Sequence, residues 1–384
     1  MNARKYSTIV ETLKAEILSG KYCLSKPFPS IRALIRRFKV SDTTVLHAFD
    51  ELAHQGLISR SQGRGTFVTP KGVSRKIGLI VPGVAYSEYF SRIVSAISRV
   101  ANEERYLLLL GDMSSSCVEE RMEKTKAFVD ELVRENVAGV IYQPFEFFDQ
   151  SDRFNREIVS ILDSAGIAVV LLDYDVEQPP GRSRFDVVGI NNLEAGYRLG
   201  KHLLSVGAHT IDFLLLPNSA PCGRNRLRGL AIAVGESSGK GRLRILRADP
   251  DDVGALKRHL KHGMPDAFVC GGDVSAARFK QTLEQLEVNV PQDVLLAGFN
   301  DLQIASLLTP PLTTIHQPCE QIGETAFRRL LARIAEPGKP PLELYLPAPL
   351  VMRESTRRVR SAKLSKMHER KGRTDGAPRK AWLN

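Results

Sequence analysis

The sequence predicts two folded parts of different class, a small helical head closed by a β-hairpin and a long α/β body of doubly wound parallel sheets. Three observations carry this prediction. Apolar residues recur at helical spacing through the first 55 or so positions and then fall in two short runs around glycines. From Ile77 onward, continuous apolar runs alternate with helical stretches. Charge is also partitioned: residues 1–72 hold 12 Lys/Arg against 5 Asp/Glu, residues 353–384 hold 11 against 3, and the stretch between is mildly acidic. A basic head, an acidic middle and a basic tail imply that only part of the chain faces a polyanion.

The head reads element by element. Ile9, Val10, Leu13 and Ile17 mark one face of a helix ending at Gly20. Ser30 caps a second helix bearing Ile31, Leu34, Ile35 and Phe38. Ser41 caps a third, with Val45, Phe49 and Leu52 facing inward and Gly56 stopping it. Leu57 to Arg60 and Thr66 to Val68 flank the turn Gln62-Gly63-Arg64-Gly65 and form a hairpin. Three helices and a hairpin over residues 1–68 make a winged helix-turn-helix, a motif whose last helix presents its N-terminus to a major groove. Here that end carries Ser41, Asp42, Thr43 and Thr44. Arg32, Arg36, Arg37 and Lys39 lie just before it, and Arg64 sits at the tip of the wing.

Residues 69–76 form a short polar linker. In the body, strands are expected at 77–81, 106–110, 139–142, 168–172, 187–190, 211–216, 244–246, 267–270 and 294–297, with helices such as 90–104, 119–136 and 193–206 between them. That is too many strands for one comfortable sheet, so residues 77–355 are expected to form two lobes with a ligand cleft outside the strand ends. Polar or aromatic residues placed after strands are its candidate lining: Tyr89, Phe90, Asp173, Arg226, Asp273 and Asn300. Residues 356–384, rich in Arg, Lys, Ser and Gly, read as a disordered basic tail.

Several classes are excluded. No apolar run approaches the roughly 20 residues that span a bilayer, and residues 1–14 lack the apolar core of a secretory signal, so a cytoplasmic, DNA-associated location is expected. The five cysteines are scattered and form no metal spacing, so neither metal nor cofactor is expected. There is no G-x-S-x-G, Walker loop or H-E-x-x-H, which argues against an enzyme.

The head resembles the GntR family of winged-helix regulators over about residues 6–68. The resemblance rests on Pro29-Ser30-x-Arg32-x-Leu34, Val40-Ser41-x-Thr43-Thr44-Val45, Leu52-x-x-x-Gly56-Leu57-Ile58 and Gly63-x-Gly65-Thr66-Phe67-Val68. It implies that Arg32 holds DNA, that Ser41, Thr43 and Thr44 meet phosphate or base edges, and that Gly63, Arg64 and Gly65 bring the wing into the minor groove. Asp42 departs from the arginine usual there. A carboxylate cannot hold phosphate or a guanine edge, which shifts the expected load toward Arg36 and Lys39.

The body resembles the LacI/GalR effector domain, of the type I periplasmic-binding-protein kind, over about residues 76–355. The carrying residues are Ile77-Gly78-Leu79-Ile80-Val81-Pro82, Gly166 to Asp173, Arg226-x-x-Gly229, Gly298-Phe299-Asn300-Asp301, Pro310 to Pro318 and Leu350 to Ser355. This resemblance implies a ligand-binding role for Tyr89, Phe90, Asp173, Arg226, Asp273, Asn300 and Gln317. Gly272, Asn300 and Asn191 replace an asparagine and two aspartates of the usual pattern, which makes the site less acidic. The family's hinge helix has no counterpart in residues 69–76, so coupling is expected to act through the spacing or orientation of two heads. Together the resemblances imply a homodimer on a palindromic double-stranded operator, released by a sugar-like effector. A body that binds a non-sugar ligand, or none, stays open, with a sugar-processing enzyme behind it.

Overall fold

The computed structural model describes residues 2–18, 21–22, 27–61, 65–69, 76–83, 87–111, 113, 115, 117–146, 148, 150–178, 180–217, 219 and 221–358. The head comprises α1 (Asn2–Leu18), α2 (Ile31–Phe38), α3 (Asp42–His54), β1 (Ile58–Ser61) and β2 (Gly65–Val68). The apolar spacing read from the sequence is its core: Ile9, Val10, Leu13 and Ile17 pack with Leu34, Val45, Phe49 and Leu52. Ser30 caps α2 by accepting from the Ala33 amide at 3.3 Å, and Lys39 closes that helix in the left-handed conformation at φ 53°. Gly56, at φ 71°, ends the third helix. β1 and β2 pair antiparallel with Ile58 opposite Val68, and Phe28 joins their edge by donating its amide to the Thr66 carbonyl at 2.7 Å. The expectations at Gly20 and at Gln62 to Arg64 lie outside the described residues.

The chain divides into two units, the first of which also includes the head. The first contains β3 (Lys76–Ile80), α4 (Glu88–Glu103), β4 (Leu107–Leu110), α5 (Val118–Arg134), β5 (Gly139–Tyr142), α6 (Ser151–Ser164), β6 (Ala168–Leu172) and β7 (Asp186–Ile190). The second unit takes over at Asn192, with α7 (Asn192–Ser205), β8 (Thr210–Leu215), most of α8 (Pro221–Gly235), β9 (Arg242–Arg247), α9 (Val253–Leu260), β10 (Ala267–Cys270), α10 (Asp273–Glu284), β11 (Leu295–Asn300), α11 (Gln303–Leu307) and β12 (Thr313–His316). The chain rejoins the first unit from Gln317 to Ala348 as α12 (Cys319–Ala335) and β13 (Glu343–Leu346), then re-enters the second as β14 (Leu350–Val351) and a 3-10 turn, Glu354–Thr356.

Each unit is built on a six-stranded sheet, ordered β4-β3-β5-β6-β7-β13 in the first and β9-β8-β10-β11-β12-β14 in the second. Every named strand pairing in the two sheets is parallel except β12 with β14. These are the doubly wound sheets that the sequence predicts. In each, the strand order reverses beside the first strand, between β3 and β5 and between β8 and β10. That reversal opens a crevice at the carboxyl ends of the strands, where this architecture places its ligands. Asp186, fully buried, ties the first unit together: its carboxylate accepts from both edges of the Arg333 guanidinium at 2.9 Å and from the Leu342 amide at 2.6 Å.

The body continues past the predicted end at Ser355. Thr356 is buried and shares hydrogen bonds with His202 and Thr313, and Arg358 pairs with Asp266 at 2.8 Å. The tail from 359 onward lies outside the described residues.

In the second unit, α7 and α8 touch backbone to backbone through two glycines. A Cβ at Gly229 would lie 1.9 Å from the Leu193 carbonyl oxygen, and one at Gly196 would lie 2.0 Å from that of Arg226. Gly229→Ala is therefore expected to push the helices apart and to cost about 1–3 kcal/mol, the usual range for overpacking a tight contact. Chemical denaturation checks this; unchanged stability would show that the helices separate freely.

Candidate functional site

The first candidate surface is the head. Arg32 and Arg36 stand one turn apart on α2, both exposed. Neither they nor exposed Lys39 make an ion pair or side-chain hydrogen bond with any described residue. Arg37, their neighbour, is spent internally: its guanidinium binds Glu16 of the first helix and reaches the Tyr22 hydroxyl at 3.3 Å. The Arg37 hydrogen bonds hold the Glu16 carboxyl down at about 2, with burial opposing them. Of the four basic side chains before the third helix, three are available to an anion and one holds the head together.

Ser41 sits at the N-cap of that helix, yet its side chain makes no cap hydrogen bond, contrary to the capping role read from the sequence. Its Oγ instead lies 2.9 Å from the Thr43 hydroxyl and 2.8 Å from that of Thr44. Three hydroxyls are thus gathered at an exposed helix start, the end that favours phosphate. Asp42 turns its Oδ1 onto the Thr43 amide at 2.8 Å, a local bond that occupies the carboxylate. Gly65, at φ 106°, takes a conformation that side-chain-bearing residues rarely adopt. Gly63 and Arg64 lie outside the described residues.

Two polar clusters sit at strand ends in the body. In the first unit, the buried Tyr89 donates its hydroxyl to Asp173 Oδ1 at 2.5 Å and lies 3.3 Å from the Gln317 Oε1. Phe90 stacks edge-on to Tyr89, with centroids 5.2 Å apart. Asp173 follows β6 directly and adopts φ 64°. The structure thus gathers four of the residues expected to bind ligand.

In the second unit, Arg226 is 7% exposed. Its Nε donates to Asn192 Oδ1 at 2.8 Å and its Nη1 to the Gly271 carbonyl at 2.5 Å, immediately beyond β10 at the reversal of strand order. The guanidinium lies over the Phe299 ring, 4.7 Å from its centroid. Asn300 ends β11 at φ 112°. The following corner is clamped by Asp301, which binds His316 Nδ1 at 2.9 Å and Arg353 Nη2 at 2.6 Å. Asn192 was missed in the sequence. Its signal was its place as the second of two asparagines directly after β7.

Asp273 departs from its expected place as a cleft-lining ligand contact. Its carboxyl is fully buried; Oδ1 accepts from the Thr314 hydroxyl at 2.7 Å and Oδ2 from the Leu302 amide at 2.9 Å. Gly298 makes the room, since a Cβ there would come within 2.5 Å of Oδ1. Asp273 braces the loops around Asn300, and burial pushes its pKa up to about 7, partly offset by those hydrogen bonds. Among the described residues no group of His, Cys, Asp and Glu could hold a metal ion, and no helix is long and apolar enough to cross a membrane.

Residues 5–68 match the family described as bacterial regulatory proteins, gntR family, and residues 201–356 match the periplasmic binding protein-like domain. The HTH-type transcriptional repressor PurR of Escherichia coli O1:K1 / APEC is 27% identical over 345 residues, covering 85% of this chain and 96% of that protein. The transcription regulator CcpA of Lactococcus lactis superposes with a TM-score of 0.63 at 20% identity, over 74% of this chain and 100% of that one. A CelR–cellobiose complex gives 0.62 at 21%, over 82% and 91%. A LacI family regulator from Enterococcus faecium with bound ribose gives 0.59 at 24%, over 74% and 100%. Head and body together define a DNA-binding transcription regulator. In particular, its head is similar to the gntR family of bacterial regulatory proteins and its body to the periplasmic binding protein-like domain.

Two predictions follow from these sites. Arg36→Ala is expected to weaken DNA binding and to reduce the slope of log affinity against log salt by about 1, one phosphate contact's share. Arg37→Ala is expected instead to lower the melting temperature of the head; titrations of binding against salt and thermal melts separate the two. Asp273 gives a pH signature. Its folded pKa of about 7 stands above the ordinary 3.8, so the fold keeps a proton that the unfolded chain releases. Its contribution to stability is present below about pH 4 and is lost as pH rises through about 7. Asp273→Asn is expected to remove that decline, read as melting temperature against pH in the two proteins.

Proposed function

We propose that this regulator is a homodimer that binds a palindromic operator through its two heads and releases it when a small, sugar-derived effector binds the body. The observation that carries the proposal is the pairing, in one chain, of unneutralised cations beside a helix N-terminus with a buried arginine at the switch point of a doubly wound sheet. The first serves a polyanion; the second serves a small ligand with fixed geometry. Arg32, Arg36 and Lys39 hold phosphate, Ser41, Thr43 and Thr44 meet phosphate or base edges, and the wing around Gly63, Arg64 and Gly65 reaches the adjacent groove. The candidate effector contacts are Tyr89, Phe90, Asp173 and Gln317 within the first unit, and Arg226 and Asn300 within the second. Asp273 supports that site from behind.

The cellobiose of CelR and the ribose of the E. faecium regulator support a sugar-derived effector. Two bodies pair to set the distance between heads. Leu107 and Leu110 on the edge strand β4 are 58% and 45% exposed, apolar surface that a second copy would cover. Effector binding shifts the equilibrium between two head arrangements, so its free energy appears as lost DNA affinity. Residues 70–75 lie outside the described residues, and the absence of a hinge helix there remains part of the proposal. The basic tail adds salt-sensitive, sequence-independent attraction to DNA, and regulation takes place in the cytoplasm without catalysis.

The test is selection of bound fragments from random DNA, followed by affinity measurements with and without candidate effectors. A palindromic consensus whose affinity falls with effector is expected. Fragments with no shared sequence would overturn the proposal. Arg226→Ala is expected to bind the selected operator but to lose the effector response, whereas Arg32→Ala is expected to lose operator affinity and keep the effector-induced rise in melting temperature.

A further inference from the structure

We infer that the effector is an acid, a hydroxylated small molecule bearing a carboxylate or phosphate that is received by Arg226. The inference rests on the reading of the body as an effector domain and narrows its ligand to a charge class.

Arg226 is a buried cation without a counter-ion. Its hydrogen-bond partners are the amide oxygen of Asn192 and the backbone oxygen of Gly271, both neutral, and its face is covered by Phe299. No carboxylate lies within ion-pair distance of it among the described residues, and its Nη2 makes no hydrogen bond there. The other deeply buried arginine of the body, Arg333, has the buried Asp186 beside it, and the partly buried Arg244 has a bidentate bond to the buried Asp212. Arg226 alone of the three keeps its charge with only neutral acceptors, an arrangement that burial penalises unless an anion completes it.

The surroundings reinforce the same sign. The first turn of α8 contains no acidic residue. The nearest acidic side chain on β10's extension, Asp273, has both oxygens committed to Thr314 and Leu302. The neighbouring polar side chains of this unit, Asn192 and Asn300, are amides and oppose no negative charge. Arg226 is also held rigidly, because its carbonyl oxygen is pressed against Gly196 of α7. A planar fork fixed in this way matches the two oxygens of a carboxylate or phosphate.

The experiment compares matched acids and neutral sugars on the full-length protein by calorimetry and thermal shift. Gluconate and galacturonate are set against glucose and galactose, and glucose 6-phosphate and ribose 5-phosphate against glucose and ribose. At least one acid is expected to bind on the order of tenfold or more tightly than its neutral counterpart, since a site built for a polar group rejects the analogue lacking it. The carboxylate and phosphate arms tell the two sources of charge apart. Arg226→Gln is expected to abolish that preference and Arg226→Lys to restore part of it, a pattern that simple loss of packing would not give. Neutral sugars binding as well as, or better than, every acid would overturn the inference while leaving an effector-responsive regulator in place. Failure of every acid to bind would likewise overturn it. Failure of the protein to bind DNA selectively would strike the broader reading instead.

Discussion

The functional half of the second unit depends on the contact between α7 and α8. Two helices approach until backbone meets backbone only where side chains are absent, and Gly196 and Gly229 supply the two gaps. That closeness places Asn192 at the start of α7 against Arg226 on α8, whose guanidinium lies over Phe299 and against Gly271. A second constraint works from the other side. Asp273 ties α10 to the Thr314 strand and the Leu302 turn, and Asp301, held by His316 and Arg353, fixes the corner that puts Asn300 at φ 112°. Backbone strain of this kind persists only when neighbours over-determine it. The positions of Arg226 and Asn300 are thus fixed by glycine contacts and by carboxyl groups committed to the protein's own backbone and side chains.

The head shows the same economy with charge. Four cations precede the third helix within eight residues, from Arg32 to Lys39. Arg37 is consumed by Glu16, Tyr22 and the link between first and second helices. Its pairing with Glu16 leaves Arg32, Arg36 and Lys39 as a small cationic face, and Asp42 turns one carboxylate oxygen onto the Thr43 amide. The carboxylate that seemed out of place in a DNA-facing helix therefore acts on its own backbone.

Much of this was legible in the sequence, for physical reasons. Strands buried on both faces read as unbroken apolar runs, so 139–142, 168–172 and 267–270 were placed to the residue. The strands at 313–316, 343–346 and 350–351 escaped, because they are short, flanked by prolines or half exposed. Tyr89, Phe90, Asp173 and Gln317 were anticipated and come together. The roles of Asp273 and Arg37 were not, because a carboxylate after a strand reads the same whether it faces a crevice or the core. What decides between them is a partner far along the chain, Thr314 for one and Glu16 for the other. Asn192 was hidden by its twin Asn191.

The path of the chain has an evolutionary corollary. Both body sheets are completed by late segments: the first unit waits for β13, and the second for β14 and the turn that buries Thr356. No cut inside the body yields two consecutive pieces that each retain a whole sheet. The joint after Val68 is different, since everything the head's core needs has already been made. A break at that joint leaves the head's core and both body sheets whole, so the head can be exchanged as one segment while the body keeps every strand it needs.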